Sequence, residues 1–336
     1  MDYTKIPLGA LPSPDDPRDF PITRLIATVN VFPEEFVLPY NHEIKNQGNV
    51  GSCVANSLTY CREIVEEQQL GKYTKFSVGF IYGNRNDTDY QGTGWHPREA
   101  LDHLLKQGVC EYDLFPYDEE YPQIREKLLQ NKDALMENAY PHRISAYARI
   151  YTLDEIKNAL YVLKSPVTFI FKICPSFYRI TPYNPVFTPP SESESLYGYH
   201  EMTILGWKKY AGQEVLVVLN SWGKEWGDNG LFYIPTKIFD TQDYYFKEFW
   251  SITDNIIPHS DPVNPKYWRV QVGAFKNKEN ADKKAQELKI LGYNTYIVFI
   301  DGLYKCQVGA FSIETNARKL STELTSKGIS NFVVYY

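Results

Sequence analysis

The sequence predicts an α+β protein in two parts, and three observations carry that expectation. Apolar residues recur at helical spacing in the first third of the chain, and strand-like alternation dominates later. A stretch with three prolines, IIPHSDPVNPK at 256–266, interrupts the pattern and suggests a linker. Beyond it, RVQVGAF at 269–275 is answered by KCQVGAF at 305–311, the mark of an internal duplication.

Each element has a local reason. Val54, Leu58, Cys61 and Val65 fall on one helical face that runs to Leu70, with Ser52 placed as N-cap and Gly71 as a stop. HPREALDHLLK, 96–106, is a second helix closed by Gly108. Leu153–Leu163 is a third, followed by the strand-like SPVTFIFKI, and then by HEMTILGW and EVLVVLNSW between turn residues. The duplication also maps Ala281 onto Ala317, Leu288 onto Leu324 and Gly292 onto Gly328. Each half runs strand, turn, amphipathic helix, glycine cap, strand, so two halves give βαββαβ.

Composition narrows the function classes. A content of 43% hydrophobic and 23% charged residues is that of a globular chain, and 336 residues leave room for two domains. The net charge of −6 provides no basic field for nucleic acid or anionic lipid. Twenty-seven tyrosines suit a polar, sugar-like or peptide ligand, and ordinary packing accounts for them equally well. The five cysteines, Cys53, Cys61, Cys110, Cys174 and Cys306, form no CxxC, which argues against a zinc site or a disulfide framework. MDYTKIPLGALPSPDDPRDF does not have the form of a signal peptide, and no run approaches the roughly 18 apolar residues that a membrane span needs.

The chemistry centres on QGNVGSCVANSLTYC, 47–61, which sets a thiol in the first turn of a helix. Such a thiol can be a small core residue, half of a disulfide, a metal ligand or a nucleophile. A helix N-terminus and a nearby cation would favour the last by stabilising thiolate. Other candidates are weaker. His96 and His103 lie about 10.5 Å apart along one helix, too far to chelate one metal. Cys61 lies on an apolar helical face, and the remaining cysteines have no companion motif.

LPYNHEIKNQGNVGSCVA resembles the active-site segment of papain-like cysteine peptidases, whose pattern is roughly Q-G-x-C-G-S-C-W. YGYHEMTILGW resembles the histidine strand of that family, and LNSWGKEWGDNGLFYI its N-S-W-G-x-x-W-G segment. GTGWHPREALDHLLKQGVCEYDLFPY and DEIKNALYVLKSPVTFIF resemble the stretches between them, in the same order, over about 36 to 250. The resemblance implies a two-lobed fold with Cys53 as nucleophile, His200 as its ion-pair partner and general acid, and Asn220 fixing the imidazole. It implies Gln47 as an oxyanion donor together with the Cys53 backbone N–H, and Trp222 as a shield over the imidazole. Gly92 and Gly94 resemble the glycines whose backbone pairs with an extended substrate. Val50 departs from the family's usual cysteine, which suits a bacterial, disulfide-poor version, and Val54 replaces an aromatic residue. Fewer than 40 residues precede the part that resembles a mature enzyme, and those before about Pro33 are expected to cross or flank the cleft and restrain activity.

WRVQVGAFKNKENADKKAQELKILGY resembles SPOR (sporulation-related repeat) domains, which implies a small βαββαβ sheet that binds peptidoglycan glycan strands. By strand alternation Arg269, Gln271, Lys305 and Gln307 share one face, the expected glycan contact. The domains expected are an arm at 1–35, a peptidase at 36–255, a linker at 256–266 and a SPOR domain at 267–336. Together they describe a monomeric cysteine endopeptidase acting on polypeptides and held to cell-wall glycan, in the envelope or on spores, with no cofactor or metal. Hydrolysis of peptidoglycan cross-linking peptides is one alternative. The other is a non-catalytic wall-binding protein with a papain-like body.

Overall fold

A computed structural model describes residues 2–85, 94–116, 123–190, 194–254, 268–293, 295–300, 302–311 and 314–335. The chain divides into two compact units, Met1–Ile256 and Ile257–Tyr336. The expected linker, 256–266, lies outside the described residues.

In the first unit the helices cluster early. Helix α1 (Cys53–Leu70) ends where Gly71 turns left-handed at φ 64° and returns its N–H to the Glu67 carbonyl. Ser52 sits at the N-cap, yet its side chain makes no capping bond. Asn56 Nδ2 instead donates to Ser52 Oγ at 3.0 Å. The expected one-sided apolar stripe is also too narrow, because α1 is buried from Cys53 to Glu66 on every side. Its polar residues are satisfied by pairing: Lys45 with Glu63, and Arg62 with Glu66 and Asp254. Packed with it are α2 (Val78–Gly83), capped by Ser77, α3 (Pro97–Lys106), α4 (Gln123–Gln130) and α5 (Lys132–Ala139). Helix α6 (Leu153–Tyr161), capped by Thr152, stops two residues earlier than the sequence suggests.

The strands are β1 (Phe36–Val37), β2 (Ala146–Ile150), β3 (Val167–Ile173), β4 (Gly198–Tyr210), β5 (Gln213–Leu219), β6 (Leu231–Pro235) and β7 (Phe246–Thr253); a short α7 (Gln242–Tyr245) precedes the last. They form one antiparallel sheet in the order β2-β7-β3-β4-β5-β6, with β1 on β4. Because successive side chains point to opposite faces, β3 and β4 each serve two cores. Phe169, Phe171, Met202 and Ile204 enter a cluster with Trp207, Trp222 and Trp226. Ile170 joins Cys53, Val54, Leu58, Trp95 and Trp250 in the cluster beneath α1.

Residues 2–35 wrap this body. Ile22 is fully buried, Phe20 accepts a hydrogen bond from the Arg149 amide, and Asn158 grips both backbone groups of Val29. Trp207 Nε1 donates to the Pro33 carbonyl at 3.1 Å.

The second unit is the expected duplication. It runs β8 (Trp268–Phe275), α8 (Lys278–Ile290), β9 (Thr295–Ile300), β10 (Leu303–Phe311), α9 (Glu314–Ser326) and β11 (Phe332–Tyr335), in sheet order β11-β8-β10-β9. Val270, Val272, Cys306 and Val308 meet Ala285, Leu288, Ala317 and Leu324 in its core.

Candidate active site

The sequence-expected residues converge from three elements. Cys53 opens α1, His200 lies near the start of β4, and Asn220 follows β5. His200 Nε2 meets Asn220 Oδ1 at 2.7 Å, and the same oxygen accepts the Ser221 N–H at 2.8 Å. His200 Nδ1 is buried and makes no hydrogen bond among the described residues. Trp222 closes over the pair, its ring centroid 5.0 Å from that of His200. The backbone N–H of Glu201, the residue after His200, lies near the Cys53 sulfur and favours its thiolate. Gln47 is held by Ser221, whose hydroxyl donates to Gln47 Oε1 at 2.8 Å, so its Nε2 points away from that bond.

The N-terminal arm lies across these groups. Gln47 Nε2 donates to the Pro7 carbonyl at 3.0 Å, and a Gly9 backbone group reaches the Cys53 sulfur. Trp95 N–H donates to Gly9 O, Leu11 N–H to Trp95 O, and Ala10 N–H to Tyr199 O, at 2.8, 3.0 and 3.2 Å. Tyr3 stacks on Trp222 with centroids 6.0 Å apart, and Leu8 fills the space above Gly198. Glycine is required at position 9, since a Cβ there would come within 1.8 Å of the Gly51 carbonyl oxygen. Gly94 is equally tight: its Cβ would meet Gly9 O at 2.1 Å. Gly92 lies outside the described residues. Further along, Ser13 N–H donates to Glu248, His96 Nδ1 contacts the Leu11 and Pro12 carbonyls, and Arg98 pairs with Asp19.

Burial sets the protonation states. Desolvation pushes the Cys53 thiol up to about 12, against the help of the Glu201, Gly9 and Val54 amides. It brings His200 down to about 4, although the Asn220 bond favours the charged form. The covered site therefore holds a neutral thiol and a neutral imidazole, where the resemblance leads one to expect an ion pair.

Of the other cysteines, Cys61, Cys110, Cys174 and Cys306 are all buried and unpaired. No group of three metal-type ligands occurs among the described residues. His103 packs near the rings of Phe80 and Trp95, with Nε2 unbonded, and burial brings it down to about 4. Its unfolded value is 6.5, so the unfolded chain binds the proton first. The stability involved is complete above about pH 6.5 and is lost as pH falls towards 4, reaching about 3 kcal/mol. His103→Phe should flatten the acid side of the thermal-unfolding profile relative to wild type, and parallel profiles would contradict this.

In the second unit, Arg269, Gln271 and Gln307 do share a sheet face, and Gln307 pairs directly with Gln271. That face is less open than expected for a solvated surface. Arg269, Gln271 and Gln307 are buried, and Lys305 is half-buried.

A family profile described as papain family cysteine protease matches residues 39–243, and a SPOR domain profile matches 264–335. The chain belongs to the papain family of cysteine proteases, with a SPOR domain following the peptidase body. A peptidase C1-like protein of Acanthamoeba polyphaga mimivirus is 28% identical over 236 residues, covering 66% of this chain and 74% of that protein. Cysteine proteinase 3 of Dictyostelium discoideum is 26% identical over 195 residues, 57% of this chain and 54% of that protein. The chain thus spans about half the length of the second relative. Among solved structures, xylellain, a cysteine protease from Xylella fastidiosa, superposes with a TM-score of 0.64 at 24% identity, over 74% of this chain and 96% of that one. Procathepsin B S9 from Trypanosoma congolense gives 0.56 at 15% identity, over 74% and 87%. These likenesses establish the two-lobed papain-like fold.

The sequence reading missed two things. It assigned no role to Glu201, although a carboxylate in the buried-looking strand HEMTILGW was a visible signal. It also gave no weight to Gly9, whose lack of a side chain is what lets the arm lie against Gly51 and Gly94.

Proposed function

We propose that the protein is a peptide-bond hydrolase working through Cys53, His200 and Asn220, with Gln47 as oxyanion donor. The observation that supports this most directly is the His200 Nε2–Asn220 Oδ1 bond at 2.7 Å, which leaves Nδ1 free of other bonds. In this reading His200 Nδ1 takes the thiol proton and the Cys53 sulfur attacks the scissile carbonyl carbon. The oxygen gains negative charge and is held by Gln47 Nε2 and the Cys53 N–H. His200 then gives its proton to the leaving amine, the C–N bond breaks, and an acyl-enzyme remains for water to hydrolyse.

We also infer that residues 1–35 restrain this activity. The Pro7 carbonyl occupies the Gln47 donor, and Tyr3 covers Trp222. Substrate would need the same backbone groups of Trp95 that Gly9 and Leu11 now hold. The SPOR domain belongs to a class associated with the cell envelope or division site. Arg269, Gln271, Lys305 and Gln307 are the proposed glycan contacts, with polar groups suited to hydroxyls and amides. No described helix is long and apolar enough to cross a membrane. Anchoring on glycan raises the local enzyme concentration there.

The test is labelling by an epoxide thiol inhibitor under reducing conditions, comparing wild type with Cys53→Ala. A covalent adduct found on wild type alone is expected. Absence of any Cys53-dependent adduct, even in protein whose arm has been unseated, would reject the enzymatic reading in favour of a non-catalytic wall-binding protein. Assay of a casein-type substrate beside purified peptidoglycan then separates protein cleavage from cleavage of wall cross-links.

A further inference from the structure

Beneath the nucleophile lies a buried acid that the mechanism does not use. Glu201 is 1% exposed, and its side chain turns from β4 towards α1. Thr168 donates to Glu201 Oε1, Ser57 Oγ lies 2.7 Å from Thr168 Oγ1, and Thr203 Oγ1 lies 2.7 Å from Ser57 Oγ. Oriented as donors, these hydroxyls run from Thr203 through Ser57 and Thr168 to end on the carboxyl. Ser57 is one turn along α1 from Cys53, so the chain ties the nucleophile's helix to the two strands behind it. Glu201 Oε2 has no partner among the described residues. A carboxyl so placed is a costly thing to bury without compensation.

We propose that Glu201 is a positioning residue for the nucleophile, and that the charge on its carboxyl governs whether the Cys53 thiolate can form. This rests on the peptidase reading above. The groups facing it are Cys53, Cys61 and Ser57 from α1, Thr168 from β3, Thr203 from β4, and Glu248 from β7. Among the described residues no cation acts on it, and Glu248 is the charge that does. Its own backbone N–H favours the Cys53 thiolate, while its carboxylate opposes it. One residue therefore acts in both senses on the same sulfur. Burial raises both the Cys53 thiol and the Glu201 carboxyl above their ordinary values. Whichever loses its proton first obstructs the other.

Glu201→Gln keeps an oxygen for Thr168 and removes the charge. The experiment follows the pH dependence of iodoacetamide alkylation at Cys53 in the full chain, read by mass spectrometry, beside the pH profile of kcat/KM. In Glu201→Gln the midpoint for alkylation should fall by about one pH unit, the scale of a nearby like charge. Thr168→Val removes the hydroxyl that stabilises the ionised carboxylate, and should shift the midpoint in the same direction by less. It serves as the second readout should Glu201→Gln fail to fold. Profiles for both variants superimposable on wild type would overturn the proposal. A Cys53 that resists alkylation at every pH in all three proteins, even with the arm opened by Gly9→Val, would instead defeat the peptidase reading.

Discussion

Gly9→Val is expected to raise kcat/KM for a short peptide substrate by about 10- to 100-fold. The contact at position 9 is backbone against backbone, with a Cβ brought to 1.8 Å from Gly51 O, so no side chain can swing aside. Relief requires the arm to move, and forced contacts of this kind typically cost about 1–3 kcal/mol. Each 1.4 kcal/mol is about a factor of ten in the population of the open cleft. The bonds of Pro7, Ala10 and Leu11 are all local to the same stretch of the arm and should loosen with it. Steady-state kinetics of the variant and wild type checks this. Unchanged turnover, with the variant folded, would show that the arm does not limit access.

Gln47→Ala, made in that opened background, should lower kcat by about 10²–10³, or about 2.7–4 kcal/mol of barrier, with little change in KM. The donor earns this value through placement: Ser221 fixes its Oε1, and Ser221 adjoins Asn220, so the oxyanion donor and the imidazole support are built on one turn. A charge that develops only in the transition state is stabilised by a group already in position. A change confined to KM would reassign Gln47 to substrate holding.

The fold was legible where the local pattern and the tertiary outcome agree. The helix from residue 53, the strands around His200 and Asn220, and the duplicated second unit all follow from periodicity and glycine stops. The failures have physical causes. A stripe of four apolar residues suggested a helix with one wet side, whereas α1 runs through the centre and balances Arg62, Glu63 and Glu66 by pairing. Strands β2 and β7 carry charges such as Arg149 and Glu248, which pair with each other and so disguise their burial. Cys53, His200 and Asn220 could be named from motif order, but their neutral state could not. That state follows from the complete burial of both groups, which motif order does not report.

The arm's two anchorages have a kinetic meaning. Ile22, Val29 and Pro33 are fastened to the body well away from Cys53, so loosening residues 3–13 does not set the segment adrift. It stays within reach as a ligand of its own protein, at an effective concentration of order millimolar for a short tether. Diluting the enzyme would then leave the covered fraction unchanged. Severing the tether, or a competitor for the cleft, would shift the balance.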